Sequence, residues 1–138
     1  MDDEKFKKLK IFYEDALELK DTPDDIRRLA RALPGLYQMT IGFFSEQASV
    51  VGLLKVQKDK LYSGYFNKYK HEASRSYSTK EIDILIQKED AMVEINREIN
   101  KQKMFADYFE HTISNIKASG FNIKNYIDIK KFYQGDSY

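Results

Sequence analysis

The sequence predicts a mainly α-helical chain of several helices, one of them about 40 residues long, that assembles through helix packing. Apolar residues recur every three or four positions near the N-terminus and again between residues 85 and 116. Between these two stretches, residues 36–69 contain no proline and are compatible with helix. Helical spacing over most of the chain therefore favours a protein built from packed helices.

The first helix is predicted from an apolar stripe made of Phe6, Leu9, Tyr13, Ala16 and Leu17. A second helix is predicted to start at residues 22–25, where Thr22 can cap, Pro23 suits the first helical position, and two acidic residues favour the positive end of the dipole. The Leu33-Pro34-Gly35 segment is then expected to stop or kink this helix, because proline lacks the amide that helix hydrogen bonding needs.

The stretch from residue 36 to about residue 69 is predicted to be helical despite three glycines. Whether residues 36–70 form one helix or two is left open by the sequence. A strip of small residues at helical spacing predicts close packing against another helix rather than a ligand site. The strip consists of Gly42, Ser45, Ser49 and Gly52.

The longest helix is predicted to start at a capping box formed by Ser78 and Glu81 and to end at a C-cap, Gly120. Its heptad-like seam contains Leu85, Met92, Ile95, Ile99, Ala106, Phe109, Ile113 and Ile116. About 40 residues extend roughly 60 Å, more than a compact chain of this size is wide. We therefore expect another copy of the chain to cover the seam, with an intramolecular antiparallel helix from residues 36–70 as the alternative.

Composition excludes several classes of protein. Cysteine is absent, so neither disulfides nor thiolate metal sites are expected. The most apolar stretch, residues 39–54, is too short to span a membrane, and we expect a soluble protein. His71 and His111 have no neighbours at metal-ligand spacing, and no phosphate-binding glycine loop occurs. We expect no enzyme activity, no metal and no cofactor.

A basic and aromatic segment in the middle of the chain predicts binding to single-stranded DNA. Residues 55–80 contain seven basic and two acidic residues, a net charge of +5. Lysines neutralise phosphates, and aromatic rings can stack on unpaired bases. The candidate DNA contacts are Lys55, Lys58, Lys60, Tyr62, Tyr65, Lys68, Lys70 and Arg75. In the alternative interpretation, the aromatic residues between 62 and 69 share one helix face and are core, with lysines extending beside them.

The C-terminal residues carry a resemblance to a known family. Residues 116–132 match the pattern I-K-x-x-G-F-x-I-K-x-x-x-D-x-x-x-F in full. This pattern resembles the C-terminal signature of the UvsY family, the recombination mediators of T-even-like phages. Residues 81–132 can be aligned with the family without a gap. Residues 56–61 match the family's DNA-binding motif, which assigns that role to Lys58 and Lys60, although Asp59 between them departs from the pattern.

The resemblance implies a ring of six or seven subunits, assembled through the C-terminal region, that binds single-stranded DNA in the host cytoplasm. Its partners would be a single-strand-binding protein, whose coat it weakens, and a RecA-like recombinase, which it helps to load. We expect residues 1–77 to form a DNA-binding region and residues 78–138 an oligomerisation region. The predicted oligomerisation residues are Ile99, Phe109, Ile113, Ile116, Phe121, Ile123, Ile127 and Phe132. A helical structural or adaptor protein without nucleic-acid binding is the rival hypothesis.

Overall fold

The computed structural model describes residues 1–72 and 75–134 of the chain. Its elements, in order, are α1 (Asp3–Leu17), α2 (Pro23–Asn67), a π-helix (Lys68–Glu72), α3 (Thr79–Gln87) and α4 (Asp90–Tyr133). No β-strand occurs within these two described ranges. The mainly helical fold class is thus confirmed, with two very long helices, of 45 residues in α2 and 44 residues in α4.

Side-chain caps start three of the helices. The carboxylate of Asp2 accepts a hydrogen bond from the Lys5 amide at 2.7 Å, at the start of α1. At the start of α2 the Thr22 hydroxyl accepts from the Asp25 amide at 3.3 Å, and Pro23 is the first helical residue. At the start of α3 the Ser78 hydroxyl accepts from the Glu81 amide at 3.2 Å. The predicted helix starts at Thr22 and Ser78 are therefore confirmed.

The predicted helix stop at residues 33–35 is wrong, because α2 continues through Pro34 as far as Asn67. Proline inside a helix costs about 3 kcal/mol, but Pro34 is exposed to solvent while Leu33 and Leu36, on either side of it, pack into the core. Burial of this apolar face outweighs the lost hydrogen bond. The open question about residues 36–70 is also answered: α2 is one helix up to Asn67, and the π-helix follows it directly.

The predicted bounds of the longest helix also need correction. Gly120 does not end it, because Ile116 and Ile123 are buried on either side and keep the helix regular as far as Tyr133. Ser78 starts the short helix α3 rather than α4. The amides of Lys88 and Glu89 donate to the carbonyls three residues earlier, at 3.2 and 3.0 Å, and this tightened turn ends α3.

One compact unit consists of residues 1–45 together with those from residue 106 on. Its main core cluster contains Tyr13, Leu36, Phe109 and Ile116, and a second cluster contains Ile26, Leu29 and Ile123. The Tyr13 and Thr40 hydroxyls are 2.6 Å apart in this core, and the Thr40 hydroxyl donates to the Leu36 carbonyl. Ile26 and Leu29 of α2 pack with Ile123 of α4, whereas the later residue Leu36 packs with the earlier residues Phe109 and Ile116. The two helices therefore run antiparallel within this unit.

The other compact unit is the continuous stretch of residues 46–105. Ile82 and Ile86 of α3 and Met92 of α4 form its core cluster, packed against aromatic residues of α2. The Gln47 amide donates to the Gln102 carbonyl oxygen at 2.5 Å, and the Gln102 amide donates to Glu98 at 2.9 Å, so this buried polar pair is hydrogen-bonded. The two units do not follow the predicted division after residue 77. The functional assignment of the two predicted regions is a separate matter and stays a prediction.

The chain buries most of its own heptad-like seam. Within the two units, the seam residues buried against other helices of the same chain are Met92, Ile99, Ala106, Phe109 and Ile116. The structure thus favours the intramolecular alternative, in which α2 covers the seam, over a second copy of the chain. Oligomerisation itself stays a prediction and needs a different surface.

Candidate nucleic-acid interface

The predicted DNA-contacting bases lie on the last four turns of α2, on the π-helix and just before α3. Lys55, Lys60, Lys68, Lys70 and Arg75 are exposed, whereas Lys58 is half-buried. Lys55, Lys58, Lys60 and Lys68 make no ion pair with any described carboxylate. Cations without a competing acid are free to neutralise phosphate, which is what non-specific binding to a nucleic acid requires.

Two bases at the end of this segment lie against aromatic rings. The ammonium of Lys70 is 5.5 Å from the centre of the Phe66 ring, and the guanidinium of Arg75 is 5.3 Å from that of Tyr77. Arg75 also pairs with Glu81 at 3.7 Å, with both side chains largely exposed. An exposed pair of this length is worth little, so Arg75 can exchange its carboxylate partner for a phosphate.

Lys58 and Lys60, the pair carried over from the family motif, point to different sides of α2. Residues two apart on an α-helix are separated by about 200° around its axis. Lys58 therefore shares an edge with Lys55, three residues earlier, and borders the aromatic face. Lys60 shares the solvent-facing side with the exposed Val56. A single strand that contacts both lysines must lie across α2 rather than along one edge of it.

The predicted stacking residues Tyr62 and Tyr65 are half-buried members of the core of residues 46–105. The Tyr62 ring stacks on Phe66 with centres 6.3 Å apart, and both pack against the cluster formed by Ile82, Ile86 and Met92. The alternative interpretation of this aromatic face, as core with lysines beside it, matches this geometry. Only the outer edges of these rings remain available to a base.

Carboxylates hold two of the tyrosine hydroxyls at the border of this core. The Tyr62 hydroxyl donates to Asp83 at 3.0 Å, and the Tyr69 hydroxyl donates to Glu89. In each case the hydrogen bond to a carboxylate raises the pKa of the tyrosine above its ordinary value, since ionisation would place two negative charges together. These hydroxyls are consequently neutral donors at physiological pH.

Sequence reasoning missed a second basic surface, in the unit that contains the two termini. Arg27, near the start of α2, and Lys130 and Lys131, in the last turn of α4, line one groove with Tyr126 and Ile127. Residues 26–54 and 117–138 each carry a net charge of +2, and this excess of basic residues was the signal in the sequence for a second basic surface. Two weakly basic segments far apart in sequence did not predict one shared groove.

Within the described ranges, no three His, Asp or Glu residues are grouped so that they could hold a metal ion. None of the helices in the described part of the chain combines the length and the apolar character that crossing a membrane would require.

Comparison with known proteins identifies the family. A family model described as "Recombination, repair and ssDNA binding protein UvsY" matches residues 15–136, nearly the whole chain. The chain belongs to the UvsY family. Comparison with curated protein sequences gives no match.

The UvsY fold is also the one seen in solved structures. Crystal structures of the bacteriophage T4 recombination mediator protein UvsY in lattice types IV and II superpose with a TM-score of 0.79, at 16% and 15% identity. The lattice type IV match covers 93% of this chain and 98% of the T4 chain. At such low identity the likeness shows the shared fold alone.

The structure divides the predicted oligomerisation residues of this UvsY family member into two groups. Ile99, Phe109, Ile116 and Ile123 are buried inside their own chain, and Ile113 is half-buried. The exposed group lies on the last three turns of α4 and just before them. It consists of Phe121 at 70% exposure, Ile127 at 42% and Phe132 at 81%.

Proposed function

We propose that this chain is a non-enzymatic recombination mediator that binds single-stranded DNA as an oligomeric ring. The ring weakens the coat of single-strand-binding protein on DNA and promotes loading of a RecA-like recombinase filament in the host cytoplasm. The family match over residues 15–136 is the observation that carries this proposal. The unpaired lysines of α2 support it, because they can bind phosphates of any sequence.

Assembly into a hexamer or heptamer fits the weakness of a single basic patch. Purely electrostatic contacts with nucleic acid have dissociation constants of about 10⁻⁴ to 10⁻⁶ M at physiological salt. Several patches on one ring make later contacts intramolecular, which adds a factor of about 10² to 10⁴ in affinity. The same multivalency lets the ring release a strand contact by contact to the recombinase.

Phe121 and Phe132, from the exposed group at the end of α4, provide the surface for assembly in this proposal, whereas Ile127 lines a groove with Tyr126. Phe121 and Phe132 are the two most exposed large apolar side chains that the family signature contributes. Burial of each against another subunit stabilises the assembly by about 1.5–3 kcal/mol. Deletion of residues 117–138 is a poor test, because it also removes the core residue Ile123.

A structural or adaptor protein that binds no nucleic acid is the rival function, and the packing of Tyr62 and Tyr65 in the core favours it. A salt series of fluorescence anisotropy titrations with labelled oligo-dT separates the two. The mediator binds with an affinity that falls steeply with salt, and Lys58→Ala with Lys60→Ala lowers the slope of log K against log salt by about 0.7 for each lost phosphate contact.

The matched control for this titration is Lys7→Ala with Lys10→Ala, which removes the same charge from the exposed face of α1. An unchanged slope in this control and a reduced slope in the α2 variant support the proposal. Equal binding by both variants moves the DNA site away from α2, and no binding by the unmodified chain in dilute buffer refutes the mediator function.

Light scattering of Phe121→Asn with Phe132→Asn tests the ring. The mass of the particle is expected to drop, and an unchanged mass places assembly elsewhere.

A further inference from the structure

The groove between the start of α2 and the end of α4 combines a basic lining with an aromatic side chain. Its volume is about 400 Å³, within the range of sites that hold small molecules or single nucleotides. Arg27 lines it from α2, and Tyr126, Lys130 and Lys131 line it from α4. No carboxylate side chain belongs to the described lining. A positively charged groove of this kind attracts anions.

The cations of the groove are available to a ligand. Lys131 makes no described ion pair, and Arg27 only reaches Asp24 at 3.7 Å, with both side chains more than 70% exposed. The neighbouring Asp25 is already held by the Arg28 guanidinium at 2.8 Å and by the Lys20 amide at 2.6 Å. Of these two acids, Asp25 is held by other partners, and Asp24 makes only a long and exposed pair of little strength with Arg27.

The Tyr126 ring and the Lys130 ammonium form a cation–π contact. The ammonium of Lys130 is 5.3 Å from the centre of the half-buried Tyr126 ring. An exposed contact of this kind contributes only about 0.5–1 kcal/mol. A phosphate that binds Lys130 therefore draws it away from the ring at little cost, and a base can then stack on the ring face that the ammonium leaves.

Lysines in the last turn of a helix also complement the negative end of its dipole, which explains Lys130 and Lys131 without any ligand. That explanation does not extend to Arg27, which lies in the second turn of α2, near the opposite end of a helix dipole. Three bases from two helix ends of opposite dipole thus face one groove.

We propose that this groove is a second contact site for single-stranded polynucleotide, in which Arg27, Lys130 and Lys131 bind phosphates and Tyr126 stacks on a base. The inference rests on the proposed function and extends it, because each subunit then holds the strand at two separate surfaces. One is the lysine-rich end of α2, in residues 46–105, and the other is this groove, in the unit that contains both termini.

Tyr126→Trp gives a direct test, because the chain contains no tryptophan and the introduced indole is its only one. Titration with oligo-dT is expected to quench the indole fluorescence, with saturation at the DNA concentration where anisotropy also saturates. Phe12→Trp, on the half-exposed outer side of α1, is the control and is expected to stay unchanged. Unchanged indole fluorescence in Tyr126→Trp alongside normal anisotropy refutes the groove and leaves the mediator function intact.

A charge variant supplies the second measurement. Arg27→Gln with Lys130→Gln and Lys131→Gln is expected to lower the salt slope by about 2, from three phosphates at about 0.7 each. Lys7→Gln with Lys10→Gln and Lys103→Gln removes the same charge from exposed positions and is the control. An equal slope in both variants refutes the groove. If the unmodified chain does not bind oligo-dT at all, the mediator function and the groove fall together.

Two further readouts exclude other occupants. Quenching by polyglutamate but not by oligo-dT would make the groove a docking site for an acidic peptide and overturn the proposal. Loss of DNA binding together with a loss of mass in light scattering would make it a contact between subunits, which also overturns the proposal. Retained mass with reduced DNA binding supports it.

Discussion

Tyr13, in the unit that contains both termini, is a core residue, whereas Tyr62 and Tyr69, in residues 46–105, border the core. Tyr13 is 1% exposed and bonded to the neutral hydroxyl of Thr40. Tyr62 and Tyr69 are half-buried and donate to the carboxylates of Asp83 and Glu89. The pKa of Tyr13 is raised mainly by burial, and that of Tyr62 mainly by its hydrogen bond to a carboxylate.

The difference shows what each of these tyrosines is suited to do. The buried hydrogen bond between the Tyr13 and Thr40 hydroxyls helps to specify how α1 and α2 pack in the first unit. A half-buried tyrosine with a charged partner keeps one edge at the surface, beside the lysines of α2. Packing and ligand contact are therefore compatible for one side chain in residues 46–105, but not for Tyr13.

The largest expected effect comes from truncating a large, fully buried side chain in either core. Phe109→Ala, at a fully buried position of the first unit, is expected to lower the free energy of unfolding by about 3–5 kcal/mol, and Ile86→Ala in the second by about 2–5 kcal/mol. Urea denaturation followed by circular dichroism measures both. Leu53→Ala, at a position of α2 that is 63% exposed, is the control and stays within about 0.5 kcal/mol of the unmodified chain. A loss below about 1 kcal/mol for Phe109→Ala would contradict the described core.

An intermediate effect is expected from the buried polar pair of residues 46–105. Gln47→Leu alone removes the amide that donates to the carbonyl oxygen of Gln102 and lowers the free energy of unfolding by about 1–3 kcal/mol. Gln47→Leu with Gln102→Leu removes both buried amides and is expected to restore only part of that loss, because the Gln102 amide also donates to the half-buried Glu98 at 2.9 Å. A double-mutant cycle in urea measures the coupling, and additive effects would mean that the pair does not form.

The smallest effect distinguishes the observed α4 from a helix that ends at residue 120. Gly120 lies inside α4, and a Cβ added there would meet only the Leu33 side chain, at 4.0 Å. Gly120→Ala is therefore expected to raise the free energy of unfolding by up to about 1 kcal/mol. Thermal unfolding is the measurement, with Gly35→Ala, at an open position of α2, as the control. Destabilisation by Gly120→Ala would restore the C-cap interpretation.

Local signals predicted the starts of helices better than their ends. Thr22 and Ser78 cap through their own hydroxyls, an interaction that depends on a few adjacent residues. Pro34 and Gly120 were misread because burial of Leu36 and Ile123, through contacts distant in sequence, keeps each helix intact. The break after Gln87 has neither proline nor glycine to signal it. Tertiary packing decides these positions, and periodicity alone cannot reveal it.

The candidate DNA-binding site could likewise be predicted from the sequence only in part. The basic character of residues 55–75 could be recognised from composition, and most of the lysines are exposed as expected. The sequence could not decide whether Tyr62 and Tyr65 face solvent or core, since a stripe of aromatic residues fits both. The groove around Arg27 and Lys130 joins residues about a hundred positions apart, which only folding brings together.

The division of the chain into one continuous and one discontinuous unit has a consequence for biosynthesis. Residues 46–105 can close as a hairpin once they are made, because they form a compact unit that is continuous in sequence. Tyr13 and Leu36 emerge from the ribosome first, yet their partner Phe109 is synthesised only after that whole stretch. Hairpin closure brings Gln47 and Gln102 together and so shortens the loop that the first segment must close. The continuous unit can therefore fold during synthesis, whereas the discontinuous one is completed only after residue 106 and those beyond it are made.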